Sequence, residues 1–168
     1  MKWSKLVISA ALLTSLAGCE FAPVKKGEQD QQPADQAQSA DLQGGYDIKS
    51  LDDPNSPLSR RVVYFDLDSS SISDEDRELI SAHAQFLAAN PQVSAILEGH
   101  ADERGTREYN IALGERRAKA VQQLFSVQGV SGSQAQVISF GEERPVALEH
   151  NEEGWRLNRR VEILYSGR

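Results

Sequence analysis

Apolar residues follow two spacings that alternate along the chain from residue 61 onward. Short runs rich in β-branched and aromatic residues, which are typical of strands, occupy residues 61–65, 93–97, 136–140 and 160–165. Two longer segments, residues 73–90 and 106–129, carry apolar side chains every three or four positions, which predicts amphipathic helices. Strands separated by helices predict an α/β fold of the α+β sandwich type, in which the helices pack on a mixed sheet.

The ends and the buried faces of both helices are indicated by particular residues. Ser73, which three acidic residues follow, predicts an N-cap, and Asn90-Pro91 ends the first helix. Gly129 ends the second helix. We interpret His83 as a core histidine with hydrogen-bond partners, because it lies on the apolar stripe of its helix. The predicted buried positions are Leu79, Ile80, His83, Phe86 and Leu87 in the first helix and Ile111, Ala118, Val121 and Phe125 in the second.

Residues 1–18 have the pattern of a signal peptide. Lys2 and Lys5 form a basic stretch before an apolar segment, residues 6–16, that is too short to span a bilayer as a mature helix. Small residues precede Cys19, as at the cleavage site of a bacterial lipoprotein. An ordinary signal peptide with an incidental cysteine is the alternative. Because the chain has a single cysteine, an internal disulfide is excluded.

The composition changes between the signal peptide and the first strand. Residues 29–39 are rich in Gln and Asp and poor in bulky apolar side chains, and Pro54 and Pro57 interrupt the segment that follows. This composition predicts a disordered tether of roughly 40 residues, with a root-mean-square span of about 35 Å. The predicted organisation is a signal peptide over residues 1–18, a lipidated cysteine and tether over 19–59, and one domain over 60–168.

Composition and charge limit the classes of function. The 168 residues are 39% hydrophobic and 26% charged, as in a soluble globular domain, and the formal net charge is −7. Loss of Lys2 and Lys5 with the signal peptide would take the charge from −7 to −9. With no basic stripe in an acidic chain, we expect no nucleic-acid binding. The three histidines lack the spacing of metal ligands, so we also expect no metal site and no cofactor.

A charged turn over residues 99–105 joins the second strand to the second helix. Asp102 lies in this turn, where the free N–H groups and dipole of a helix start favour a carboxylate. A structural role and a ligand-binding role are therefore both open for Asp102. Asn110, Gly114 and Arg117 follow at spacings that place them on one helix face. Glycine within a helix costs about 1 kcal/mol relative to alanine, which indicates a packing or binding reason for Gly114.

The run from Gly99 to Ala118, together with residues 64–68 and 158–160, resembles the OmpA-like peptidoglycan-binding family. The resemblance extends over about residues 61–165 and is strongest to the peptidoglycan-associated lipoproteins, the Pal branch of the Tol-Pal system. It implies a β-α-β-α-β-β domain, usually with a short extra helix in the last loop. It also implies a protein that binds peptidoglycan and is not an enzyme.

In this family the ligand is the peptidoglycan stem peptide, and the matched residues imply a pocket for its meso-diaminopimelate. Asp102 would bind the ammonium group of that residue, and Arg117 would bind the carboxylate on the same carbon. Because Arg117 lies about 16 Å along the helix, the resemblance requires the turn to fold back over the helix. The other implied site residues are Asn110, Leu67, Asp68 and Arg160. Arg160 is one of two candidates in the run Asn158-Arg159-Arg160. Glu103, Arg104 and Thr106 complete the turn.

The resemblance also implies a location and partners. Cys19 would become the acylated first residue, and several acyl chains give stable anchoring in a membrane. Glu20 follows this cysteine in place of the Asp that retains lipoproteins in the inner membrane, which implies the outer membrane with the domain in the periplasm. Lipoprotein members of the family bind the β-propeller protein TolB, act with other Tol proteins in cell division, and tend to use the same loops for TolB and for the wall.

Three alternatives are weighed against a lipoprotein that binds the wall. A flagellar stator anchor would need a membrane-spanning helix after cleavage, and none is predicted. A porin of the OmpA type would need a barrel of strands before the domain, and residues 20–59 are too few and too polar. A wall hydrolase would need a pair of carboxylates, which the many acidic residues allow although none is singled out as an acid. The hydrolase is therefore the alternative of a different class.

Overall fold

A computed structural model describes residues 45–167 of the chain. Two short 3-10 turns, Ile48–Leu51 and Pro57–Ser59, precede four strands that alternate with three helices. The elements are β1 Val62–Tyr64, α1 Asp74–Ala89, β2 Ser94–His100, α2 Arg107–Val127, β3 Ala135–Gly141, α3 Glu152–Asn158 and β4 Arg160–Ser166. The predicted β-α-β-α-β-β arrangement is confirmed, and α3 is the short extra helix implied by the family.

The four strands form one mixed sheet in the order β1-β4-β2-β3. β2 runs parallel to β3, and β4 lies between β1 and β2 and is antiparallel to both. Helices α1 and α2 pack on one face of the sheet, where Leu97 and Ile163 are fully buried against Phe86 and Phe125. The strand period of two puts Ala95, Leu97 and Gly99 toward this core, which leaves the alternate residues of β2 half-buried or buried on the other face.

The helix ends agree with the predicted signals. The Ser73 hydroxyl accepts a hydrogen bond from the Asp76 N–H at the start of α1, and Asn90 caps its end. Thr106 caps α2 by accepting from the Tyr109 N–H, and Gly129 follows the end of α2 with a φ of 89°. These N-caps satisfy backbone donors that would otherwise lack partners. Both helix boundaries predicted from the sequence are confirmed.

His83 is a buried core histidine, as predicted. Its Nε2–H donates to the Arg60 carbonyl at 2.7 Å, which leaves Nδ1 to accept from the Tyr165 hydroxyl at 2.6 Å. Burial lowers the pKa of His83 to about 4, so the ring is neutral at neutral pH. Among the predicted buried positions of α2, Ile111 is wrong because its side chain is only half-buried, whereas Ala118, Val121 and Phe125 are fully buried.

The hydrophobic core includes residues that precede residue 60, the predicted start of the domain. Leu51 and Leu58, in the two 3-10 turns, are buried in the hydrophobic core, and Arg61 Nη2 donates to the Leu51 carbonyl at 2.6 Å. Two isolated leucines among polar residues have no strand or helix periodicity, which is why the sequence pattern missed them. The signal peptide, Cys19 and most of the predicted tether lie outside the described residues. Within residues 45–167, no helix is long and apolar enough to cross a bilayer.

Candidate functional site

The end of β2 lies directly against the middle of α2 because two glycines face each other. A Cβ on Gly99 would lie 2.0 Å from the Gly114 carbonyl oxygen, and one on Gly114 would lie 2.8 Å from the Gly99 oxygen. A side chain at either position would therefore clash with backbone. This contact is the packing reason for the helix glycine, and it brings the turn after β2 back beside α2, as the resemblance requires.

A pocket of about 270 Å³ opens where the turn, the loop after β1 and the first half of α2 meet. Five of the six residues predicted for the stem-peptide site line it: Leu67, Asp68, Asp102, Asn110 and Arg117. The sixth, Arg160, does not. The other polar or charged side chains at the pocket are those of Arg104, Tyr109 and Arg159.

Asp102 is 4% exposed and is bound by two arginines. Its Oδ2 accepts from Arg104 Nη2 at 2.7 Å and from Arg159 Nη1 at 3.2 Å, and its Oδ1 accepts from the backbone and Nε of Arg104. Burial alone would raise the pKa of Asp102, but these hydrogen bonds outweigh it and lower the pKa below its ordinary value. Because Thr106 caps α2, Asp102 is a buried anion held by arginines rather than the helix cap.

Arg117 is fully buried beneath the pocket. It donates to three backbone carbonyls, those of Ser69 at 2.8 Å, His100 at 2.8 Å and Asp66 at 3.0 Å. A guanidinium has five N–H groups, so two remain without a partner among the described residues. Burial lowers the pKa of Arg117 to about 10, with the Asp102 charge acting in the opposite direction. The side chain therefore keeps its positive charge at neutral pH.

The remaining predicted residues line the pocket with polar and apolar groups. Asn110, nearly fully buried, donates through Nδ2 to Glu142. Asp68 has a φ of 52° and accepts from the Tyr109 hydroxyl, so it is held across the pocket from α2. Leu67 is 56% exposed and presents an apolar side chain beside these groups.

Of the two adjacent arginines, the predicted Arg160 lies outside the pocket and Arg159 lines it. Arg160 is the first residue of β4, and it bonds Glu162 Oε1 at 2.7 Å on the sheet face away from α1 and α2. Arg159 instead donates to Asp102 and to the Phe65 carbonyl. Adjacent residues at a strand start point to opposite faces, and the sequence did not show which one faces the pocket.

Tyr109 is a pocket residue that the sequence interpretation missed. It lies next to Asn110 and four positions before Leu113, and this spacing could have placed it on the same side of α2. Its hydroxyl donates to Asp68, which raises the pKa of Tyr109.

Within residues 45–167, no group of three or more His, Cys, Asp or Glu side chains is placed to hold a metal ion.

Comparison with known proteins shows the family to which the chain belongs. The sequence profile of the OmpA family matches residues 64–159. The chain belongs to the OmpA family. Over 97% of both chains it is 40% identical to the peptidoglycan-associated lipoprotein of Pseudomonas aeruginosa, and over 62% of both it is 47% identical to that of Brucella melitensis. The resemblance to these lipoproteins inferred from the sequence is thus confirmed.

Solved structures show the same fold. The crystal structure of the peptidoglycan-associated lipoprotein from Burkholderia pseudomallei is 49% identical, with a TM-score of 0.69, covering 70% of this chain and 99% of that chain. The C-terminal domain of Helicobacter pylori MotB is 24% identical, with a TM-score of 0.59, covering 64% of this chain and 84% of that one. The MotB likeness extends to the fold alone.

Proposed function

We propose that the chain binds the diaminopimelate-containing stem peptide of peptidoglycan in the pocket between Asp102 and Arg117. The observation that carries the proposal is a buried anion and a buried cation at one opening. Diaminopimelate presents an ammonium and a carboxylate on one carbon, so a paired site of this kind complements both charges. The names of the relatives, peptidoglycan-associated lipoproteins, support peptidoglycan as the polymer that is bound.

Binding of the ammonium to Asp102 requires an exchange of partners. Arg104 and Arg159 now occupy both carboxylate oxygens, but the Arg104 side chain is 32% exposed and that of Arg159 only 5%. Arg104 is therefore the partner that the ammonium replaces. The ligand carboxylate would meet the two free N–H groups of Arg117, whose bonds to three carbonyls fix the guanidinium in advance and so lower the entropic cost of binding.

The site supports binding rather than hydrolysis. Cleavage of a glycan by two carboxyl groups requires one with a raised pKa to act as the acid. The pKa values of Asp102 and Glu103 are both lowered, that of Glu103 by hydrogen bonds from Trp155 and His150. A zymogram on purified cell wall separates the two classes: we expect no lysis by the purified protein, and a lysis band would establish the hydrolase.

A cell-wall sedimentation assay tests the binding site. Asp102→Asn keeps the shape of the side chain but removes the charge that would hold the ammonium. We expect the parent protein to sediment with purified wall and the folded variant to stay in the supernatant. Glu153→Ala, at an exposed carboxylate of α3, is the control and should sediment like the parent. A folded Asp102→Asn protein that sediments equally well would remove Asp102 from the site.

We further propose that Cys19 carries the acyl chains that anchor the protein in the outer membrane, so that wall binding tethers this membrane to the cell wall. The signal-peptide pattern and the lipoprotein relatives support this location. Cys19→Ser should release the protein from the outer membrane into the soluble periplasmic fraction. Retention of the variant in that membrane would contradict the anchor.

TolB is the proposed protein partner, with other Tol proteins, in an envelope system that acts in cell division. The family resemblance supports the partner and the use of shared loops at the pocket. If TolB and the wall use the same loops, free stem peptide should displace TolB from the immobilised domain. Simultaneous binding of both would contradict a shared surface.

A further inference from the structure

A second cavity, of about 210 Å³, opens on the other side of the turn that carries Asp102. Ala101 lines this cavity and its chain neighbour Asp102 lines the stem-peptide pocket, so only the thickness of the turn separates the two. The second cavity combines an indole, small apolar side chains and carboxylates, which are supplied by Trp155, by Pro145 and Ala147, and by Glu103, Glu142 and Glu149.

The indole of Trp155 is held in a fixed orientation. Its Nε1–H donates to Glu103 Oε1 at 2.8 Å, and the Arg104 guanidinium lies 4.1 Å from the ring centroid. Arg104 also binds Asp102, so one side chain connects the two cavities. A ring that is already immobilised offers a flat apolar surface at little entropic cost.

Free hydrogen-bond acceptors lie beside the indole. In the described part of the chain the Glu149 side chain has no hydrogen-bond or ion-pair partner, and Glu142 uses only Oε2, which accepts from Asn110. A pyranose ring has a face of C–H groups and an edge of hydroxyl donors. An aromatic face flanked by free carboxylate oxygens complements both features.

From this arrangement we propose that the second cavity binds one sugar ring of the glycan strand to which the bound stem peptide is attached. The inference rests on the proposed function, because the peptide delivers the sugar. Two stem residues separate the diaminopimelate from the glycan, and at about 3.3–3.6 Å each they keep the first sugar within about 7 Å of the diaminopimelate. The volume lies below the roughly 300–1,000 Å³ of sites for larger ligands, which suits a single ring.

Calorimetry with two ligands tests the sugar subsite. The first is the tripeptide L-Ala-γ-D-Glu-meso-diaminopimelate, and the second is the same peptide attached to the N-acetylglucosamine–N-acetylmuramic acid disaccharide. We expect the second ligand to bind the parent protein about tenfold more tightly, as one well-placed aromatic contact allows. Trp155→Ala should abolish this gain, and Trp155→Phe should keep most of it.

Glu149→Ala provides a second variant that does not depend on the packing of Trp155. The carboxylate is exposed and unpaired, so its removal should leave folding and peptide affinity unchanged and reduce the gain from the sugar severalfold. Glu153→Ala, four residues along and outside the cavity, should change neither affinity.

The outcomes separate the two proposals. If the parent binds both ligands equally, the sugar subsite is wrong and peptide binding stands. If Trp155→Ala weakens both ligands by the same factor, the indole only supports Arg104, and the subsite is again wrong. If the parent binds neither ligand, the stem-peptide proposal itself fails.

Discussion

Asp102 and Arg117 each stabilise the fold as well as forming the pocket, so substitutions there change stability and affinity together. Arg117→Ala would leave three backbone carbonyls without their donor, and an unsatisfied buried group costs about 1–3 kcal/mol. Affinities must therefore be measured on variants shown to be folded. On such proteins Asp102→Asn should lose about 2–5 kcal/mol of stem-peptide binding.

The two side chains should also be coupled, because they bind charges on one carbon of the ligand. A double-mutant cycle with Asp102→Asn and Arg117→Lys, measured by calorimetry, should show a double loss smaller than the sum of the single losses. Strictly additive losses would indicate that the two residues bind separate parts of the ligand.

His100 gives the domain an acid sensitivity that can be removed. The ring is buried and stacked on Phe140, and neither nitrogen has a hydrogen-bond partner among the described residues. Burial and the charges of Arg160 and Arg144, partly offset by Glu162, lower the pKa of His100 to about 4. An unfolded histidine is protonated below about pH 6.5, so the free energy of unfolding should fall as the pH drops from about 6.5 to about 4.

His100→Phe should therefore flatten this pH dependence by up to about 1.4 kcal/mol per pH unit. It should also raise stability at pH 7 by about 1 kcal/mol, because two unsatisfied polar atoms are removed. Urea unfolding at several pH values measures both effects. His150→Phe, at a side chain that is 80% exposed, is the control. An unchanged slope in His100→Phe would show that the ring is hydrated or paired in solution.

At the scale of elements, the contact between β2 and α2 determines the geometry of the site. Gly114→Ala should destabilise the protein by about 1–3 kcal/mol, although alanine is the better helix former, because the new Cβ would lie 2.5 Å from Ser139 Oγ and 2.8 Å from the Gly99 oxygen. Gly132→Ala is the control, because nothing lies within 4 Å of its added Cβ. Equal thermal stability of the two variants would contradict a tight strand-helix contact.

Periodicity predicted the strands and helices well, because each buries one face against the same core. Ser73, Asn90 and Gly129 marked helix ends correctly, since capping is a local interaction. The fold-back of the turn onto α2 was different, because it depends on Gly99 meeting Gly114 from another element. The resemblance supplied that contact; spacing alone did not.

At the scale of the whole molecule, the core extends beyond the elements that periodicity reveals. Leu58 is fully buried, so Leu58→Ala should cost about 2–5 kcal/mol of stability through lost burial and the cavity left behind. Val127→Ala, at an apolar side chain that is 78% exposed, should have little effect. Urea denaturation measures both. A chain that begins at residue 60 should be destabilised for the same reason. If this shortened chain were as stable as the parent, residues 45–59 would belong to the tether.

The residues of the candidate site were also predictable only in part, because some of its contacts join elements that are distant in the sequence. Family motifs placed Asp102, Asn110 and Arg117 at one pocket, but the choice between Arg159 and Arg160 required the path of the chain into β4. Nor could the sequence show that Arg104 occupies Asp102 before a ligand arrives. Both depend on side chains from different elements meeting across the fold.

The central claim is that a paired anion and cation recognise both charges of diaminopimelate. Calorimetry with two stem peptides that differ only at this residue tests it most directly. One peptide carries diaminopimelate and the other carries lysine, which lacks the second carboxylate and would leave the buried Arg117 without that partner. We therefore expect the diaminopimelate peptide to bind at least 100-fold more tightly, a difference of about 2.7 kcal/mol. Equal affinities for the two peptides would contradict the account.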